Sequence, residues 1–225
     1  MPAESLLIDA ATELGVERAF IEKDWYAVQV IDAISNMETN NINPIFSGGT
    51  SLSKGAKLIK RFSEDIDFRL QFDETIKKHT RKQFKHQIIS LFETINGIRV
   101  NHDDIFSANE SKFFKIPLRY DALFEKPNYI RDELLVEFSF NPPNDDIEKK
   151  QIQTFIAELS QSDDKTFIQC VSPCEIAADK LSAFIWRVIF RNRQHNTDDP
   201  TFIRHLHDLA ALHTTIKDNS VFLNR

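Results

Sequence analysis

Cysteine, methionine and glycine are scarce in this chain, with two, two and five copies among 225 residues. Cys170 and Cys174 are too few for a disulfide framework or a complete cysteine zinc site, so ordinary reduced thiols are expected. No apolar run approaches the roughly 20 residues that span a bilayer. The opening MPAESLLIDAATELG lacks a signal-peptide pattern, which leaves a cytoplasmic protein as the expectation. An excess of positive charge is missing as well. The net charge of −6 and pI near 5.7 speak against a protein that coats nucleic acid nonspecifically, though not against a local basic groove. Internal repeats and low-complexity tracts are absent.

What the chain does have is enough apolar residue for a packed core, 41%, and a charged fraction of 28% that argues against disorder. Its nineteen phenylalanines fall mostly in apolar-periodic segments and read as core filler. Three- and four-residue apolar spacing predicts helices over 4–14, 19–35, 81–95 and 202–216. A helix over 172–190 starts with a cap and a proline and sets Ile176, Leu181, Phe184 and Ile185 on its apolar side. Strands are predicted at 43–49, 65–72, 113–123, 133–140 and 166–172, with a loop at 141–150 and a polar connector at 191–200. The fold class is therefore α/β, a mixed sheet flanked by helices, followed by a smaller helical part.

The stretch FSGGTSLSKGAKLIKRFSEDIDF, residues 46–68, concentrates the chemistry. Two of the five glycines stand together at Gly48-Gly49, ahead of Thr50 and Ser51 and a predicted helix over 50–60. Glycine lets backbone approach phosphate closely, and a helix start offers free N–H groups. In DIDF, Asp65 and Asp67 fall on one face of a strand because strand side chains alternate. Paired carboxylates beside a phosphate cradle suit magnesium and phosphoryl or nucleotidyl transfer. Each motif alone is weak, and a structural turn or a chance acidic pair is its commoner explanation. Glu137, between Val136 and Phe138, is the candidate third acid, since a metal would relieve an acid in an apolar strand; an edge strand with one wet face explains it as well.

This stretch resembles the first motif of the AbiEii/AbiGii-type nucleotidyltransferase toxins, in the DNA polymerase β-like superfamily. FIEKDWYAVQVIDAI (20–34), SPCEIAADKLSAFIWR (172–187) and RHLHDLAAL (204–212) resemble later and earlier family segments in the right order. The resemblance implies a nucleotidyltransferase core over 1–168 with a helical part, 169–225, completing the cleft. It implies that Gly48, Gly49, Thr50 and Ser51 cradle a triphosphate and that Asp65 and Asp67 hold Mg2+ in a two-metal site. Glu137 falls where the superfamily has its third acid, although Asp is the family's more frequent residue. Lys180 is implied to contact the nucleotide phosphates, and Asp208 to be the late aspartate needed for activity. An NTP substrate, a toxin–antitoxin or abortive-infection role, a cognate antitoxin and transfer RNA as an acceptor follow from the same resemblance.

The residues alone leave other readings open. Lys180 and Asp208 also fit a solvated helix and a salt bridge, and Lys54 and Arg61 fit either phosphate contacts or a solvated face. Basic residues at 77–85 and 187–195 are candidates for an RNA-facing patch or plain surface. The same core could act on a small-molecule or protein hydroxyl, or persist as a silent partner-binding domain.

Overall fold

The computed structural model describes residues 1–39, 41–72, 75–144, 147–190, 202–217, 219 and 222. The helices are α1 (Glu4–Leu14), α2 (Arg18–Ser35), α3 (Gly48–Thr50), α4 (Lys78–Glu93), α5 (Phe155–Leu159), α6 (Pro173–Phe190) and α7 (Phe202–Ile216). The strands are β1 (Asn43–Ser47), β2 (Asp65–Gln71), β3 (Ile98–Val100), β4 (Phe106–Ala108), β5 (Phe113–Tyr120), β6 (Glu133–Ser139), β7 (Glu148–Ile152) and β8 (Thr166–Cys170). They form one mixed sheet in the order β3-β5-β6-β2-β1-β8-β7, with β4 also paired to β5. The β2–β6 and β1–β8 pairs are parallel and the others antiparallel.

Alternation along four strands builds both the core and the opposite face. Phe46, Phe68, Phe138 and Phe114 are in register across β1, β2, β6 and β5. Their neighbouring ring centroids lie 5.5, 5.3 and 4.9 Å apart, and all four rings are buried. Helices α2 and α4 cover this face through Val30, Ile31, Ile88 and Phe92. Shifted one residue along each strand, Ser47, Asp67, Glu137 and Lys115 form the adjacent row and point to the other side of the sheet. There α6 and α7 join β1 in a second apolar cluster of Ile45, Leu52, Ile59, Ile176, Ala177 and Leu212.

Helix α2 buries three consecutive charged residues, and each ties down a different segment. Glu22 accepts the N–H groups of Leu123 and Phe124. The Lys23 ammonium donates to Glu64 at 2.6 Å and to the Arg131 carbonyl at 3.0 Å. Asp24 pairs with Lys54 and accepts the Phe155 N–H at 2.8 Å. Pairing is what makes their burial tolerable.

Four local expectations need correction. The helix expected over 50–60 is short: α3 runs into a π-helical turn at Ser51–Gly55, and Lys57 then takes φ +55°, which turns the chain away. Residues 148–150, the end of the expected loop, instead begin the charged edge strand β7, a composition that suits an edge. In α6 the buried face carries Glu175, Ile176, Ala177 and Lys180, whereas Leu181 and Ile185 are exposed. The helix is rotated because Arg69 draws Glu175 inward at 2.7 Å. Lys54 lies on neither a solvated face nor a phosphate cradle; it is buried, with its ammonium 3.6 Å from the Phe155 ring centroid. The connector expected at 191–200 lies outside the described residues.

Candidate active site

The site stands on the open sheet face between α6, α7 and the segment 121–132. Gly48, at φ +73°, turns the chain from β1 into α3 so tightly that a Cβ there would lie 1.9 Å from Asp67 Oδ2. A Cβ on Gly49 would meet Ser63 Oγ at 2.7 Å and Arg61 Nη2 at 3.0 Å. The glycines thus bring an acid and a guanidinium against the turn, which places any anion seated on its backbone beside both. Thr50 and Ser51 are buried, and their hydroxyls are engaged inside the protein. Thr50 donates to the Asp65 carbonyl, and Ser51 is bonded to the Cys170 thiol. Burial pushes that thiol up to about 11, so it is inert.

Asp67 faces Glu137 directly across the parallel β2–β6 pair, with Asp65 one alternation away on the same side. Burial, then the charges of Glu137 and Asp65, push the Asp67 carboxyl up to about 7, while Lys180 and Lys115 pull the other way. Asp65 is held by Arg131, with Nη1–Oδ1 at 2.7 Å and Nη2–Oδ2 at 3.3 Å, and Glu137 by Lys115. Among the described residues no group of three acidic, histidine or cysteine side chains converges as a metal cluster. The donor set nonetheless fits magnesium: three hard carboxylate donors share one sheet face, and the repulsion from Glu137 and Asp65, which adds to burial in raising Asp67, is what a divalent cation relieves.

The other wall is a buried ion-pair cluster. Arg61 Nε and Nη2 donate to the two Asp208 oxygens at 2.7 and 2.6 Å, and Lys180 Nζ lies 2.9 Å from Oδ2. Asp208 is fully buried. Burial alone would raise its pKa, but the hydrogen bonds from Arg61 and Lys180 outweigh that and hold it below the usual carboxylate value. An acid so engaged is a poor proton acceptor. The cluster is aimed by Arg69, which grips Glu175 and, at 3.2 Å, Asp179 on α6 while donating to the Asn141 and Pro142 carbonyls.

Gly48, Gly49, Asp65, Asp67, Glu137, Lys180 and Asp208 are therefore drawn together, and Thr50 and Ser51 turn inward. Sequence reading passed over Arg131 and Lys115. Lys115 carried a signal, since it shares the alternation of FFKIPLRY with no apolar role, whereas Arg131 sits in a segment without periodicity. Of the two basic candidates for an RNA patch, residues 78–85 lie on α4, where Arg81 is buried; residues 191–195 fall outside the described residues.

A glycine turn laid against a strand pair of aspartates, on a mixed sheet closed by late helices, defines the nucleotidyltransferase fold. The fold is shared with MenT4, a nucleotidyltransferase toxin from Mycobacterium tuberculosis H37Rv, at TM-score 0.56 and 18% identity over 82% of this chain. This chain spans 59% of that one. An antigenic nucleotidyltransferase-like protein from Paracoccidioides brasiliensis aligns more distantly, at TM-score 0.46 and 14% identity, covering 84% of this chain and 76% of its own. No curated protein sequence matches the chain. The model of the family described as nucleotidyl transferase AbiEii toxin, type IV TA system, matches residues 38–223, and the chain belongs to that family. No helix among the described residues is long and apolar enough to cross a membrane.

Proposed function

We propose that the protein is a magnesium-dependent nucleotidyltransferase that moves a nucleotide from an NTP to an acceptor hydroxyl and releases pyrophosphate, acting as the toxin of a type IV toxin–antitoxin pair. The observation that carries this reading is the row Ser47-Asp67-Glu137-Lys115 set directly against the Gly48 turn. Asp65, Asp67 and Glu137 would hold the metal, which when bound neutralises triphosphate charge and polarises the α-phosphate. The backbone at Gly48 and Gly49 would receive phosphate oxygens, and the Lys180 ammonium would face the same anion from α6. Thr50 and Ser51 would act by holding the turn to β2 and β8 rather than by touching phosphate with their hydroxyls. Asp208 would position Lys180 and Arg61, both of which it binds. In this reading 1–168 supplies the core and 169–225 completes the cleft.

Transfer RNA is the acceptor we propose, with a cognate antitoxin to restrain the activity in the cell. Incubating the purified protein with each labelled NTP, Mg2+ and total RNA tests both halves. Label appearing in RNA, lost in Asp67→Asn, supports the reading. Label in neither RNA nor any small acceptor, from a folded protein that binds the metal, refutes it.

A further inference from the structure

We propose that Arg131 and Lys115 are resident counter-cations of the metal site, occupying Asp65 and Glu137 so that the site takes up a divalent ion weakly until a polyphosphate arrives with it. The inference rests on the metal role proposed above for these carboxylates.

Four carboxylates and four cations make the site: Asp65 with Arg131, Glu137 with Lys115, and Asp208 with Arg61 and Lys180, while Asp67 is the carboxylate left with only more distant cations. With all four carboxylates ionised, the cluster is balanced before any ligand enters. A divalent ion alone must break two ion pairs and leaves a surplus of positive charge among fixed cations, which is unfavourable at short range. An ion that enters with a polyphosphate restores the balance, and the displaced guanidinium and ammonium gain an anion to bind. A guanidinium fork suits phosphate as well as carboxylate.

Arg131 is built for such an exchange. Its backbone is fixed, with the N–H donating to Glu64 at 3.0 Å and the carbonyl accepting from Lys23 at 3.0 Å. Its side chain is 38% exposed and, among the described carboxylates, meets Asp65 alone within ion-pair distance. The head group can therefore swing while its base stays still. Lys115 is similarly poised, since its ammonium is part-exposed and anchored by Glu137.

The test is titration with Mn2+ in the absence of nucleotide, following the free ion by its paramagnetic resonance signal. Removing a part-exposed ion pair should tighten Mn2+ binding by about fivefold to tenfold in Arg131→Gln, with a shift of the same sign in Lys115→Gln. Arg131→Lys should restore weak binding, a rescue that a merely structural role would not produce. Adding Asp65→Asn to Arg131→Gln should cancel the gain. Thermal melts check that each variant is folded, as the backbone anchors of Arg131 predict. Unchanged or weaker Mn2+ binding in folded Arg131→Gln overturns the proposal. Binding by neither the parent nor the variant at millimolar Mn2+ overturns the metal role beneath it, whatever the transfer assay shows.

Discussion

Gly48 and Asp67 share one space: the position a Cβ would take on the glycine lies 1.9 Å from the aspartate Oδ2. The φ of +73° at Gly48 adds a backbone reason for glycine. Gly48→Ala should lose about 1–2 kcal/mol to backbone strain and further stability to the clash, and it should abolish transfer. Gly15→Ala is the matched control, because its φ is +64° with nothing within 4 Å of the added methyl. That variant should show the strain alone and keep its activity. Equal melting temperatures for the two variants would contradict the account.

The raised Asp67 pKa makes stability depend on pH in a defined direction. The folded-state value is about 7 against 3.8 for the free group, so within that window the folded chain holds a proton that the unfolded chain releases. Stability contributed by this group therefore falls as pH rises from about 4 to about 7 and then levels. Asp67→Asn cannot ionise. In metal-free buffer it should be more stable than the parent, by a margin that widens across the window and is constant above it. Thermal melts at a series of pH values check this.

Lys180→Ala should lower turnover by about 10²–10³, the loss typical of a charge-stabilising group in a preorganised site. Lys180→Arg should recover only part, since the planar guanidinium cannot take the ammonium's place against Asp208. Steady-state kinetics on the labelled-nucleotide assay measures both.

Growth arrest on expression should require chemistry. Asp65→Ala should be harmless at equal protein level and keep its fold, because Asp65 is part-exposed. Asp208→Ala should also be harmless, but by a second route. It strands Arg61 and Lys180 without their buried partner, a change that typically costs about 3–5 kcal/mol. A lowered melting temperature in Asp208→Ala, with an unchanged one in Asp65→Ala, is the expected pair of results. Undiminished arrest with Asp65→Ala would overturn the catalytic reading.

Phe138 packs against Phe68 and Phe114 in the ring row and against Phe84 and Phe92 on α4. Phe138→Ala should cost about 3–5 kcal/mol and show up in denaturant unfolding.

Much of the site could be read from strand alternation. Asp65, Asp67 and Glu137 are at positions whose parity sets them opposite the phenylalanines, and a period of two is visible in a single strand. The register that places Glu137 against Asp67 is a long-range fact that no local pattern encodes. Arg131 was invisible for the same reason, as its role comes from where the non-periodic segment leading into β6 meets the start of β2. Lys54 misled for a different reason, and the burial of Glu22, Lys23 and Asp24 has no local signal either. Charged residues normally mark solvated faces, and only partners brought from residues 64, 123–124, 131 and 155 make their burial affordable. In α6 apolar spacing pointed to Leu181 and Ile185, but the ion pairs of Glu175 and Lys180 set the rotation of the helix instead.

One turn of α2 governs three things at once. Glu22 holds residues 123–124, Lys23 holds Glu64 beside Asp65 and the backbone of Arg131, and Asp24 holds the π-helical turn that follows the glycines. All three are buried. Genetic selection for survivors of expression would thus gather its losses of toxicity along this turn as well as in the cleft, and a map of survival would trace the scaffold's joints together with its chemistry.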